Sequence, residues 1–155
     1  MKKLYYLKLF FCLFFMFACS TQKNTALNKF YHQLNTQYNG LFYAQKNLND
    51  GIKIISQSHT DNYKEILNIN KYGDLRGAKS AQAQLDQAIE KSTMAIKKHS
   101  MDIDGEEKNK LIDQAYLIIG KSKFYKQDYL PAINTFSYLL RKSNSPEVQS
   151  TAALW

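Results

Sequence analysis

Cysteine is scarce in this chain, and both copies sit at one end: of 155 residues only Cys12 and Cys19 are cysteine. A disulfide scaffold is therefore excluded, since such folds need several paired cysteines spread through the domain. Proline (two) and glycine (six) are also sparse, which rules out collagen-like and low-complexity chains and leaves room for long uninterrupted helices. The apolar run Leu9 to Ala18 has ten residues, too few for a hydrocarbon core that needs about 20. No phosphate-cradling Gly-rich loop, no His-Glu-x-x-His and no Gly-x-Ser-x-Gly is present in the sequence. Catalysis has no recognisable machinery, and no cofactor, metal or small-molecule substrate is expected. His32, His59 and His99 are scattered and read as surface or capping residues. Asp102, Asp104, Glu106 and Glu107 around Gly105 only faintly echo a calcium loop, lacking its third acidic position and closing Glu, so they read as a solvated turn.

Charge of one sign is in modest excess. The 21 Lys and Arg against 13 Asp and Glu give a net +8, which on a folded surface would suggest a nucleic-acid partner. Lys2, Lys3 and Lys8, however, belong to a short basic start followed by the apolar run, the pattern of a removable signal peptide over residues 1–18. Without those three lysines the excess falls from +8 to +5, too weak to argue for nucleic acid.

The end of the leader defines its type. Met16-Phe17-Ala18-Cys19 places a small residue before a cysteine and resembles the lipobox of bacterial lipoproteins, with Met16 where leucine is usual and Phe17 where a smaller residue is usual. A thiol is needed there because it takes the diacylglyceryl thioether before cleavage, which makes Cys19 the lipidation site and the new first residue. Several acyl chains then hold the protein stably at a bilayer, where one chain would bind only marginally. Ser20, not Asp, follows, which by resemblance to lipoprotein sorting implies the outer membrane with the body facing the periplasm. Residues 19–25 form a polar tether.

Beyond the tether the chain reads as all-α. Leu27, Phe30, Tyr31, Leu34 and Tyr38 recur at three- and four-residue steps and predict one helix face, with Asn39-Gly40 as its stop. Leu41, Ala44, Leu48, Ile52 and Ile55 predict a second helix, weakened at Gly51, that folds back antiparallel through a tight turn. Residues 58–80 have little periodicity and read as a mostly irregular connection, with Tyr63, Ile66, Leu67 and Ile69 packing against the hairpin. A third helix from Ala81 to Lys98 presents a narrow seam of Leu85, Ala88, Ile89, Ser92 and Ile96, and Lys97, Lys98 and His99 offset its dipole. Residues 26–100 thus form a degenerate helical-hairpin region, with Ala88 and Ala95 matching the small positions of a repeat's second helix.

The strongest pattern lies in residues 101–155. Tyr116-x2-Ile119-Gly120, then Ala132-x3-Phe136, with Pro146 slightly late, follows the spacing of a tetratricopeptide repeat. Tyr116 and Ile119 are expected to fill the groove between two helices. Gly120 admits the neighbouring backbone, Ala132 marks the closest crossing, and Phe136 plugs the space toward the next repeat. Asp128-Tyr129 makes the turn, and Pro131 is tolerable early in the second helix. Lys123 stands where an aromatic is usual, and Phe124 is placed to take over its packing. The concave face of such a repeat directs Leu117, Lys121, Phe124 and Tyr125 toward a partner protein. A following repeat would begin near Glu147, leaving nine residues where about 34 are needed. The expectation is the amino-terminal piece of a longer array.

Several runs together resemble one family: Cys19-Ser20-Thr21; Gln37-Tyr38-Asn39-Gly40-Leu41-Phe42; Asp61-Asn62-Tyr63; Ala95-Ile96-Lys97-Lys98-His99-Ser100-Met101-Asp102-Ile103; and Asp113-Gln114-Ala115-Tyr116-Leu117-Ile118-Ile119-Gly120-Lys121. They are similar to the start of the PorW/SprE lipoproteins of the type IX secretion and gliding-motility machinery of Bacteroidota. The resemblance implies a large periplasm-facing tetratricopeptide scaffold on the outer membrane, whose partners are proteins of the secretion or gliding apparatus. Two other readings stay open: a BamD-like subunit of the barrel-insertion machinery and a SusD-like carbohydrate-binding lipoprotein, both built with similar repeats.

Overall fold

The computed structural model describes residues 23–155 except 65 and 68–71. The leader 1–18, the lipidation site Cys19, most of the tether and the expected packing of Ile69 lie outside the described residues. The molecule is mostly helical, and no described helix is long and apolar enough to cross a membrane.

The chain begins with α1 (Ala26–Asn35), capped by the Thr25 hydroxyl, which accepts from the Asn28 amide at 3.3 Å. A π-helical turn, Thr36–Leu41, leads into α2 (Phe42–Ser58). Right-handed helical dihedrals at Asn35, Thr36, Leu41 and Phe42 make the three segments one continuous run. The antiparallel hairpin expected here is therefore wrong. Asn39-Gly40 does not end a helix. It lies inside the π turn, where Gly40 is buried so close to α4 that a Cβ on it would stand 2.6 Å from the Ala95 Cβ. Close approach, not a change of direction, explains that glycine. Gly51, expected to weaken α2, is likewise buried against Leu85.

After an irregular stretch comes α3 (Leu75–Ser80), short and capped by Asp74, whose carboxylate accepts from the Gly77 amide at 2.8 Å. Tyr63, Ile66 and Leu67 are exposed there, contrary to the expected packing. α4 (Gln82–His99) buries Leu85, Ala88, Ser92 and Ala95 between α2 and α5, and the positive charge of Lys97 and Lys98 meets its C-terminus. A two-stranded antiparallel hairpin follows, β1 (Asp102–Ile103) with β2 (Glu106–Glu107), Asp102 opposite Glu107. Its turn uses Asp104 at φ 56° and Gly105 at φ 79°, the positive values that an Asp-Gly type I′ turn requires.

The remaining helices are α5 (Leu111–Tyr125), α6 (Tyr129–Lys142) and α7 (Pro146–Leu154). Helices α4, α5, α6 and α7 each pack on the long helix before them. Two apolar clusters result. Leu41, Ala44, Leu48, Ile55, Leu85, Ala88, Ala115 and Ile118 fill the space among α2, α4 and α5. Leu117, Ala132, Phe136, Leu139, Val148 and Ala152 fill that among α5, α6 and α7, and Phe124 packs against both.

Candidate functional site

The α5–α6 pair holds the residues singled out by spacing. α5 ends in a Schellman arrangement: the Asp128 amide donates to the Lys123 carbonyl at 2.9 Å and the Gln127 amide to the Phe124 carbonyl at 2.8 Å. Gln127 takes the left-handed position, φ 65°. The turn is thus Lys126 to Asp128, and Tyr129 is already helical.

Within the pair, Gly120 faces Phe136. A Cβ on Gly120 would lie 2.6 Å from the Phe136 ring, so the bare backbone is what lets the ring seat. What approaches Gly120 is therefore an aromatic side chain, where a backbone was expected. Ala132 and Ile119 are buried. Tyr116 is half-buried and packs on Tyr138, with ring centroids 4.7 Å apart. Burial, then the charge and hydrogen bond of Tyr138, push the Tyr116 phenol up to about 12. Lys123, in the place of an aromatic, donates to Thr135 Oγ1 at 3.2 Å.

The four residues expected to face a partner do not lie open. Leu117 and Tyr125 are buried at 9% exposure, and Lys121 and Phe124 are half-buried. Leu117 is buried in the cluster among α5, α6 and α7, and the other three are covered by the chain's single tryptophan. Trp155 stacks on Phe136 at 6.3 Å, meets Phe124 and Tyr125 edge-on at 5.5 and 5.8 Å, and lies 5.0 Å from the Lys121 ammonium. Burial lowers the Lys121 affinity for its proton and raises that of Tyr125. The face that spacing assigns to a partner is thus filled by the end of α7.

A second constellation was not foreseen. Asn109 is fully buried: its Nδ2 donates to Thr36 Oγ1 at 2.9 Å and to the His99 carbonyl at 3.0 Å, and its Oδ1 accepts from the Leu111 amide at 3.2 Å. The Glu107 carboxylate turns inward, accepting from Ser100 Oγ and, at 2.8 Å each, from the amides of Met101 and Asn109. Met101 is fully buried. Asp102, Asp104, Gly105 and Glu106 are exposed, as a solvated turn requires, but Glu107 turns inward and with Met101 and Asn109 forms a plug that locks α4, α5 and the π turn together. His32 and His99, read as scattered, meet with Nδ1 atoms 3.1 Å apart, and His32 is only 2% exposed. Burial, then the charges of His32 and Lys98, lower the His99 affinity for a proton.

No group of three or more His, Cys, Asp or Glu is placed to hold a metal ion among the described residues. The sequence signal for the plug was available in Asp104-Gly105, a hairpin dipeptide. Nothing in spacing announced the histidine pair, whose members lie 67 residues apart, or the inward Glu107, whose partners Ser100, Met101 and Asn109 are near in sequence but are gathered only by the hairpin. Compared with known proteins, the chain matches no family model and no curated protein.

Proposed function

We propose that this chain is the membrane-proximal part of a lipid-anchored tetratricopeptide scaffold, a binding protein and not an enzyme, serving an outer-membrane secretion or gliding apparatus of the type IX kind. The observation that carries the reading is the α5–α6 hairpin. A glycine on its first helix receives an aromatic ring from its second, and α7 packs on both where a further repeat would begin. A hairpin that leaves a flank for its successor is the unit from which solenoids are stacked, and solenoids bind proteins through extended surfaces. The lipobox-like Met16-Phe17-Ala18-Cys19 supports the anchor. The sequence runs similar to PorW/SprE lipoproteins support the choice of apparatus and, with it, a periplasm-facing position.

Cys19→Ser is expected to abolish fatty-acid labelling and release the chain from membranes, and continued labelling refutes the anchor. Deletion of the gene is expected to block export of surface proteins and gliding. Normal export in the deletion strain refutes the assigned apparatus. Recovery of the intact protein with barrel-insertion subunits then indicates BamD-like work, and glycan binding a SusD-like role.

A further inference from the structure

The first helix carries its apolar side outward. Leu27, Phe30, Tyr31, Leu34 and Tyr38 share one face at helical spacing, and all are exposed, Leu27 to 76% and Tyr38 to 65%. The side that docks on the body is the polar one. There Thr36 accepts from Asn109 and donates to the His32 carbonyl at 2.7 Å, and His32 meets His99. A helix at the surface of a water-soluble body normally does the reverse. The apolar exposure continues past the π turn through Phe42 and Tyr43.

Two features of the same stretch say what covers it. Leu27 follows Cys19 by eight residues, and a chain reaches at most about 3.6 Å per residue, so the near end of the stripe stays within about 29 Å of an acylated cysteine. Further, residues 1–49 contain no Asp or Glu, the first being Asp50, and Lys23 precedes the stripe, while Lys46 pairs with Asp50 at 2.8 Å and Lys29 acts on Glu106. A face of Leu, Phe and Tyr side chains that contributes no carboxylate of its own matches the boundary between phospholipid headgroups and acyl chains.

We propose that α1 lies flat on the phospholipid surface, with Leu27, Phe30, Tyr31, Leu34 and Tyr38 inserted at the headgroup boundary. This rests on acylation of Cys19. Leu27 to Tyr38 spans about 17 Å at 1.5 Å per residue, enough to fix an orientation that a flexible tether alone cannot. Because the short tether holds the helix at an effective concentration on the order of millimolar, even a weak contact is occupied. The polar side of α1 then carries the body, through the plug at Asn109, in a set direction away from the bilayer.

In the processed, acylated chain an introduced cysteine is the only free thiol, so it can carry an environment-sensitive dye. Leu34→Cys and, as a reference on the exposed side of α4, Thr93→Cys are labelled and reconstituted in vesicles of phosphatidylethanolamine and phosphatidylglycerol with brominated acyl chains. The expected result is blue-shifted, quenched emission at position 34 and unshifted emission at 93. A dye on Tyr38→Cys is expected to lose its shift when Leu27→Gln and Phe30→Gln are added, with the fatty acid retained. Equal emission at 34 and 93, or an unchanged shift in the double glutamine variant, overturns the proposal. So does a dimer whose dyes at position 34 self-quench, since a second copy would then cover the face. Fatty-acid labelling of the same preparation separates the two levels. An unlabelled chain overturns the anchor and the proposal with it, whereas a labelled chain with an unshifted dye overturns the helix contact alone.

Discussion

Asn109 connects three segments through one side chain, and its loss is felt at each. Asn109→Ala removes a donor to Thr36 Oγ1, which keeps its own bond to the His32 carbonyl, and a donor to the His99 carbonyl. Each buried polar group left unpaired costs about 1–3 kcal/mol, so urea unfolding of this variant should show a midpoint well below that of the parent. A midpoint within error of the parent would mean that water reaches the site. Gly120 acts by having no side chain. Gly120→Leu drives carbon into the Phe136 ring, and overpacking of this kind costs about 1–3 kcal/mol. Pairing it with Phe136→Ala should recover part of the loss, which a double-mutant cycle measures. His99 adds a pH dependence. Burial favours its neutral form in the folded chain, while in the unfolded chain it titrates near its ordinary value of about 6.5. Its contribution is therefore complete above that pH. As the pH falls below about 6.5 the unfolded state takes up a proton that the folded state resists, and stability declines. The fall in denaturation midpoint between pH 7.5 and 5.5 should shrink in His99→Gln, and an equal fall in both proteins rules the group out.

At the scale of elements, spacing located the helices better than the contacts between them. The period of Leu27, Phe30, Tyr31, Leu34 and Tyr38 is helical in the structure as in the sequence, yet the stripe faces outward. Periodicity reveals that a helix has two sides and not which neighbour each side meets. His32 and Thr36 win the inner side because His99 and Asn109 wait there, some seventy residues on. Asn39-Gly40 misled for a related reason: a stop signal and a close-packing signal use the same glycine, and only Ala95 on α4 tells them apart. The α5–α6 turn was legible because its residues are neighbours, although, where Asp128-Tyr129 was expected to make it, it runs from Lys126 to Asp128 with Gln127 in the left-handed position. That position gives an element-scale prediction. A non-glycine residue there costs roughly 1 kcal/mol, and its side chain keeps only a 3.5 Å contact to the Gly73 carbonyl. Gln127→Gly should raise the melting temperature, and a drop would show that the Gly73 contact outweighs the backbone relief. The face expected to bind a partner was misjudged because Trp155, the residue just past the end of α7, returns to fill it.

Over the whole molecule, the helices pack mainly on their chain neighbours, so stability is shared along a line and not through one centre. The interior members, α4 and α5, are covered on both sides, by α2 and α6 respectively as well as by each other. α7 is held on one flank, chiefly through Val148, Ala152 and the Trp155 ring. In the 155-residue chain by itself, detaching α7 exposes one seam and detaching α4 or α5 exposes two, so α7 is expected to open first. Trp155 is the only tryptophan and sits at the terminal seam, so its fluorescence reports that seam while circular dichroism reports all helices together. In a denaturant titration the fluorescence midpoint should precede the dichroism midpoint, and amide exchange should be slowest in α4 and α5. Coincident transitions with uniform protection would instead describe a single cooperative unit, and the linear account of the fold would have to be given up.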